Sequence, residues 1–440
     1  MVIEGWLERA ASQVPERIAV ETPAGSWSYA ELLAMARLGA SRLAERGASR
    51  GQRVAIALPP GLAFVQALHG CLLLGATAVP VDLRLAAAER ERVAEGASVL
   101  IDQPLPTDGP WVAPPAQHEL NATALIVHTS GTTAAPRPVE LSYGNILWSA
   151  LGSGVALGVD REERWLCTLP LSHVGGLAIL LRSAIYATTA VVHERFETDR
   201  VRAALDSGGV TLVSLVATTL ARLLDDGLQR PPALRCALTG GGPVPATLLE
   251  RAAVAEIPVS LTYGLTETCS QVTTTPIAEL GSTATSAGPP LFCTRVRLAH
   301  DGEILVAGPT VAPSATLEQG WLQTGDLGRL DDAGRLRVTG RKADTIVSGG
   351  ENVAPAEVEA VLEAHPGVLE AAVLGRPDER WGEAVAAIVV ARPGGALDPA
   401  ELHAHCARAL APFKVPKDFT IVSGPLPRTP SGKLLRRELS

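Results

Sequence analysis

Six segments carry residue types suited to phosphate chemistry. The first is LIVHTSGTTAAPRPVELSYGN (125–145), an apolar run that empties into Thr129, Ser130, Gly131, Thr132 and Thr133, with Arg137 close behind. Successive backbone N–H groups in such a loop form a nest that holds anions, and the hydroxyls and arginine add donors and charge. A polyphosphate is the natural guest. Ser and Thr are also ordinary turn residues, and in isolation a hydroxyl-rich turn explains the loop about as well. No G-x-x-x-x-G-K-[ST] stretch is present, which argues against a P-loop ATPase or kinase.

In TGGGPVP (239–245), Gly240, Gly241 and Gly242 before Pro243 let backbone approach a flat ligand, although a tight strand-to-helix turn accounts for them alone. TYGLTETCS (262–270) offers the Tyr263 ring for stacking, then Gly264, then the Thr266 hydroxyl beside the Glu267 carboxylate. A carboxylate next to a phosphate loop is a reasonable magnesium ligand. The plain alternative is a surface Glu at a helix start. WLQTGDLGRL (321–330) is expected to place Asp326 in a tight turn, where it could accept both hydroxyls of a ribose; a β-turn Asp is the commoner occurrence. GRKADTIVSGGENVAPAEVE (340–359) and LPRTPSGKLLRREL (426–439) end the series, the latter presenting Lys433 after a Ser-Gly turn.

The elements that must position these residues are legible as alternating patterns. Strands are predicted at 54–58, 78–81, 125–128, 165–169, 190–193, 210–216, 234–239 and 259–262, with helices between them, such as 63–74, 218–225 and 245–255. This rhythm argues for a layered α/β domain with mostly parallel sheets, whose ligands sit at the carboxyl ends of strands. After about residue 286, VRLAHDGEILVAGP and GRLRVTGR read as hairpins. A compact unit follows, with helices at 355–364 and 402–410 and strands at 368–374 and 384–390. A boundary is placed near 341–343.

The 440 residues are 47 % hydrophobic and 19 % charged, as befits a globular chain with large buried sheets, and length allows two or three domains. The apolar stretches 54–83 and 166–192 are each broken by polar residues, so no membrane span is expected. A net charge of −8 without a basic run gives no sign of a nucleic-acid partner. The first residues, MVIEGWLERA, show no secretory signal, and the six cysteines are scattered without metal-ligand spacing; a cytoplasmic protein with reduced thiols is expected.

Taken in order, TSGTT, YGLTET, TGD, GRKAD and PSGK closely resemble the motifs of the adenylate-forming superfamily, which includes acyl- and aryl-CoA synthetases, peptide-synthetase adenylation domains and firefly-type luciferases. The resemblance covers essentially the whole chain. It implies a large N-terminal α/β domain of layered, mostly parallel sheets flanked by helices (1–340), a hinge (341–343) and a small mobile α+β C-terminal domain (344–440). It implies a carboxylic acid, ATP, Mg²⁺ and coenzyme A as ligands. By the resemblance, Thr129–Thr133 and Arg137 would meet the β- and γ-phosphates, Gly240–Pro243 with Tyr263 would meet adenine, and Gly264 would belong to the same nucleotide site. Thr266 and Glu267 would contact the α-phosphate and metal, Asp326 and Arg341 the ribose, and Lys433 the reacting oxygens. After domain rotation, Ser348, Gly349, Gly350 and Glu351 would help to form the thiol tunnel. Three positions depart from the family pattern near the phosphates, Ala134, Arg137 and Pro138, and Ala343 stands at the usual pivot.

HVGGLAILLRSAIY most resembles the o-succinylbenzoate–CoA ligases of menaquinone biosynthesis. Substrate contacts are therefore expected from His173, Gly175, Gly176, Arg182, Ser214 and Thr218. For Arg182, a helix-surface or structural role is an equal alternative. Other acids, an amino-acid adenylating enzyme and a non-catalytic adenylate binder stay open, as does a homo-oligomer. The absence of Asp from LVSLVATTL tilts against amino acids.

Overall fold

The computed structural model describes residues 1–111, 117–129, 137–280, 286–315, 317–393, 395, 397–428 and 434–439. Ser130, Gly131, Thr132, Thr133 and Lys433 thus lie outside the described residues.

Two sheets carry the N-terminal region. One orders the strands Val99–Ile101, Arg53–Ile56, Thr77–Pro80, Thr123–Thr129 and Arg137–Ser142; all pairings are parallel except the last. The other has eight strands, with a parallel centre through Val259–Leu265, Cys236–Thr239, Leu212–Leu215, Arg164–Cys167, Thr189–Val192 and Ile18–Thr22. Strands buried on both faces read as continuous apolar runs, which is why TAVP and TAVV are buried throughout. The helix Leu62–Leu74 is buried from Phe64 to Leu73 and packs on the helix Tyr29–Glu45 as part of one large core. The predicted strands and helices of this region are all present, with ends shifted by a few residues at most.

Antiparallel edges were not anticipated. Arg137–Ser142 and Ser270–Thr274 each fold back on a central strand, and Gly25–Ser28 closes the other end of the larger sheet. Pro138 sits on such an edge, opposite His128, where the missing N–H breaks no interior ladder.

A third, antiparallel sheet contains the expected hairpin Arg295–Leu298/Glu303–Ala307 and the long strand Trp321–Leu330, which pairs with Leu336–Arg341. Asp326 lies within that long strand rather than in a tight turn. The local irregularity is carried by Gly325, whose φ of +69° falls in the left-handed region. From Ile346 onward the chain builds its own sheet, Glu351–Val353, Ile346–Ser348, Gly382–Ala391 and Val368–Asp378, with Asp418–Val422 added in parallel. The helices Pro355–Glu363 and Pro399–Ala409 cover it, and Val358, Leu362, Val389 and Leu402 share a core separate from the N-terminal one. Among the described residues, no helix is long and apolar enough to cross a membrane.

Candidate active site

A cavity of about 1090 Å³ opens where the carboxyl ends of Thr123–Thr129, Leu212–Leu215, Cys236–Thr239 and Val259–Leu265 converge. Its described wall holds seven arginines against three carboxylates, so the space is built for anions.

On one side stand the glycine, TET and TGD segments. Gly240 and Gly241 line the wall; a Cβ on Gly240 would come within 2.8 Å of the Thr262 carbonyl oxygen, so only glycine permits this strand spacing. Gly242 and Pro243 follow directly and are exposed, outside the described lining residues. Thr266 and Glu267 line the cavity from a single 3-10 turn, anchored where the Ala312 N–H donates to the Glu267 carbonyl at 2.7 Å. Thr129 and Arg137 reach the wall from the two arms of one antiparallel pair.

Tyr263 departs from its expected part. It is buried with Val272, Ile304, Val306 and Leu336, is not among the described lining residues, and donates its hydroxyl to Asp326 Oδ2 at 2.8 Å. Its ring packs in the core and its hydroxyl orients a carboxylate, between Thr262 and Gly264 on the cavity wall. Burial, followed by the neighbouring Asp326 charge, pushes the Tyr263 hydroxyl far above its usual pKa, so it stays protonated as a donor. Asp326 is itself only 5 % exposed and sits just behind the wall. Sheet register places it directly across from Arg341, whose Nε donates to Asp326 Oδ1 at 2.8 Å, and Arg341 lines the cavity.

The other side is built from the helix Val174–Tyr186. His173 occupies its N-cap position and lies beside Arg84 Nη2, 3.4 Å from His173 Nε2, with Asp82 Oδ2 at 3.9 Å. Burial holds the His173 pKa below the ordinary histidine value, so the ring is neutral near pH 7. Gly175 is on the wall. Gly176 is not: a Cβ there would meet the Pro170 carbonyl oxygen at 2.5 Å, so its role is to let the helix start pack. Ser214, buried, accepts from Trp165 Nε1 at 3.0 Å and shares the wall with Thr218.

Arg182 lies on the same wall yet is only 3 % exposed. Its Nη2 donates to Ser149 Oγ at 3.1 Å and its guanidinium stands 5.6 Å from the Trp165 ring centroid, while Nε has no hydrogen-bond partner among the described residues. Among the described residues, no carboxylate lies within ion-pair distance of it. Burial draws its pKa down, but arginine remains charged. A buried cation without a counter-charge is costly unless an anion comes to it.

Ser348, Gly349, Gly350 and Glu351 form the turn of a hairpin in the C-terminal sheet and are not among the lining residues of this cavity. The sequence reading also missed Asp82, Arg84 and Arg428, which do line it. None of the three stands out locally: their significance comes from which elements fold against the cavity.

The AMP-binding enzyme family matches residues 7–104 and 97–314, and the AMP-binding enzyme C-terminal domain matches 357–433. The chain is 37 % identical to the 2-succinylbenzoate–CoA ligase of Bacillus subtilis, covering 99 % of this chain and 97 % of that one. It is similar to solved structures of o-succinylbenzoate coenzyme A synthetase from Bacillus subtilis. With the acyl-adenylate intermediate bound, the TM-score is 0.92 at 37 % identity, covering 100 % of this chain and 98 % of the other. With ATP and magnesium the score is 0.90 at 36 % identity, covering 100 % of both. For a double mutant bound to a product analogue it falls to 0.75 at 37 % identity, with 100 % and 99 % covered.

Proposed function

This chain belongs to the AMP-binding enzyme family, and we propose that it joins o-succinylbenzoate to coenzyme A, with ATP cleaved to AMP and pyrophosphate, as a step of menaquinone biosynthesis. The observation that carries the choice of acid is Arg182, a buried cation on the cavity wall with no carboxylate beside it among the described residues. An acid with a second carboxylate supplies the missing charge. A monocarboxylate would leave Arg182 uncompensated.

The reaction runs in two steps. A carboxylate oxygen of the acid attacks the α-phosphorus of ATP, and the bond to pyrophosphate breaks. The thiol sulfur of coenzyme A then attacks the acyl carbonyl, AMP departs, and the thiol proton is released. In the first step two anions meet, so positive charge at the reacting oxygens lowers the barrier. Lys433 is assigned that task. Glu267 and Thr266 fit a magnesium ion: side by side on the cavity wall they offer one carboxylate and one hydroxyl, and Mg²⁺ typically takes one or two carboxylates with substrate phosphates. When bound, the ion offsets phosphate charge. Arg341 and the Tyr263-oriented Asp326 are assigned to the ribose. Gly240 and Gly241 admit the adenine face, and the neutral His173 forms the wall next to the activated carboxylate.

Residues 341–343 are proposed as the hinge, with Ala343 exposed in the 3-10 turn Lys342–Asp344. On this reading the present arrangement serves adenylate formation, and the 348–351 turn reaches the thiol path only after rotation. The higher similarity to the adenylate-bound relative than to the one bound to a product analogue supports this.

The test is coenzyme A-dependent AMP formation with ATP, Mg²⁺ and a panel of acids: o-succinylbenzoate, benzoate, 4-chlorobenzoate, medium-chain fatty acids and amino acids. Selectivity for o-succinylbenzoate is expected. Turnover of a monocarboxylate instead would remove the assignment of Arg182 and of the pathway. ATP binding without AMP from any acid would point to a non-catalytic adenylate binder.

A further inference from the structure

Of the described residues that line the cavity, one alone comes from the C-terminal unit: Arg428. It shares the space with Thr266, Glu267 and Arg341, the nucleotide side of the site. Its guanidinium is held in place: Nε donates to Glu370 Oε1 at 2.9 Å, and Nη2 pairs with the same carboxylate. Glu370 in turn accepts from the Leu426 N–H at 3.3 Å, tying the strand Val368–Asp378 to the approach to Arg428. Leu434 bridges back to Arg428, and the Leu435 N–H donates to the Pro427 carbonyl at 2.8 Å. A cation anchored this firmly on the wall of an arginine-rich cavity has a defined direction of approach, unlike a solvated surface arginine.

Charge delivered by the C-terminal unit acts only while that unit covers the cavity. Adenylate formation is the step that needs it, since only then do a polyphosphate and a carboxylate share the site. We propose that Arg428 contacts the ATP phosphates during adenylate formation, as a second cation alongside Lys433, and that Glu370 is its positioning residue. The proposal rests on the two-step ligase reading above. Arg428 leaves the cavity when the unit rotates, so its contribution is confined to the first half-reaction.

Assaying the two halves separately tests this. The first is o-succinylbenzoate-dependent exchange of pyrophosphate with ATP. The second is thioester formation from synthetic o-succinylbenzoyl-adenylate and coenzyme A. Arg428→Ala is expected to lower kcat/KM for ATP in exchange by about 10- to 100-fold, the loss of a charge-assisted hydrogen bond. Thioester formation by the same variant shows that the fold is intact and is expected to stay within about twofold of wild type. Arg428→Lys is expected to recover part of the exchange rate, and Glu370→Gln to lose less than Arg428→Ala, in exchange only. Unchanged exchange in Arg428→Ala, or equal losses in both halves, would overturn the proposal. Wild-type protein that shows no exchange would remove the ligase reading itself, and this proposal with it.

Discussion

Arg182, proposed above to meet the second carboxylate, shows how burial sets an ordinary residue apart. At its position on the helix Val174–Tyr186 the side chain is enclosed, bonded to Ser149 and left without a carboxylate among the described residues. Arg182→Met is expected to raise KM for o-succinylbenzoate by about 10- to 100-fold. KM for ATP stays unchanged, and Tm holds or rises, because an unpaired buried charge is removed. A fall in Tm with unchanged KM would make the residue structural. Lys433→Ala is expected to abolish pyrophosphate exchange while ATP binding, measured by calorimetry, largely survives; an unchanged exchange rate would remove its assigned role. Tyr263 belongs to this scale as well, since a hydroxyl aimed at Asp326 does for the nucleotide site what a free aromatic face would not.

Elements set these residues in place. The helix that carries Arg182 begins at His173, and its first turn packs so closely on residues 169–170 that Gly176 has no room for a Cβ. Gly176→Ala is expected to cost about 1–3 kcal/mol of stability through overpacking, read as a lower urea midpoint, with substrate KM changed through His173. An unaltered midpoint would mean that the helix start yields freely. The antiparallel pairing that sets Asp326 across from Arg341 is likewise a property of two strands. At the proposed hinge, Ala343→Pro is expected to slow thioester formation from preformed adenylate far more than pyrophosphate exchange, because a fixed φ resists rotation. Equal effects on both halves would place the pivot elsewhere.

At the scale of the molecule, the large N-terminal core buries titratable groups remote from the cavity. His69 is fully enclosed and burial lowers its pKa to about 4; burial, with the neighbouring His69, lowers His118 to about 4 as well. In the unfolded chain both titrate near 6.5. Between those values the unfolded state binds more protons, so stability is full above about pH 6.5 and declines as pH falls toward 4. The urea midpoint is expected to drop between pH 7 and pH 5, with a shallower slope in His69→Gln. An unchanged slope in that variant would assign the acid sensitivity to other groups. The C-terminal unit has a separate core around Val358, Leu362 and Val389, which the proposed rotation requires.

Sequence alone determined the strand–helix rhythm and the order of the glycine, TET and TGD segments, because hydrophobic period, turn chemistry and motif order are local properties written along the chain. The positions of Gly240, Gly241, Thr266 and Glu267 at the ends of strands followed from the same patterns. Tertiary structure alone decided the rest. Asp326 was read as a turn residue because Thr-Gly-Asp looks like one, but pairing with Leu336–Arg341 keeps it in a strand. Whether Arg182 faced solvent or the cavity depended on what packs around its helix, and the sequence left both open. That Gly176 packs against a neighbouring carbonyl and Tyr263 bonds a buried carboxylate could not be read locally. Arg428 reaches the cavity only because a second folded body is docked over the first. Contacts between residues distant along the chain depend on register and docking, and those are set by the summed packing of the molecule.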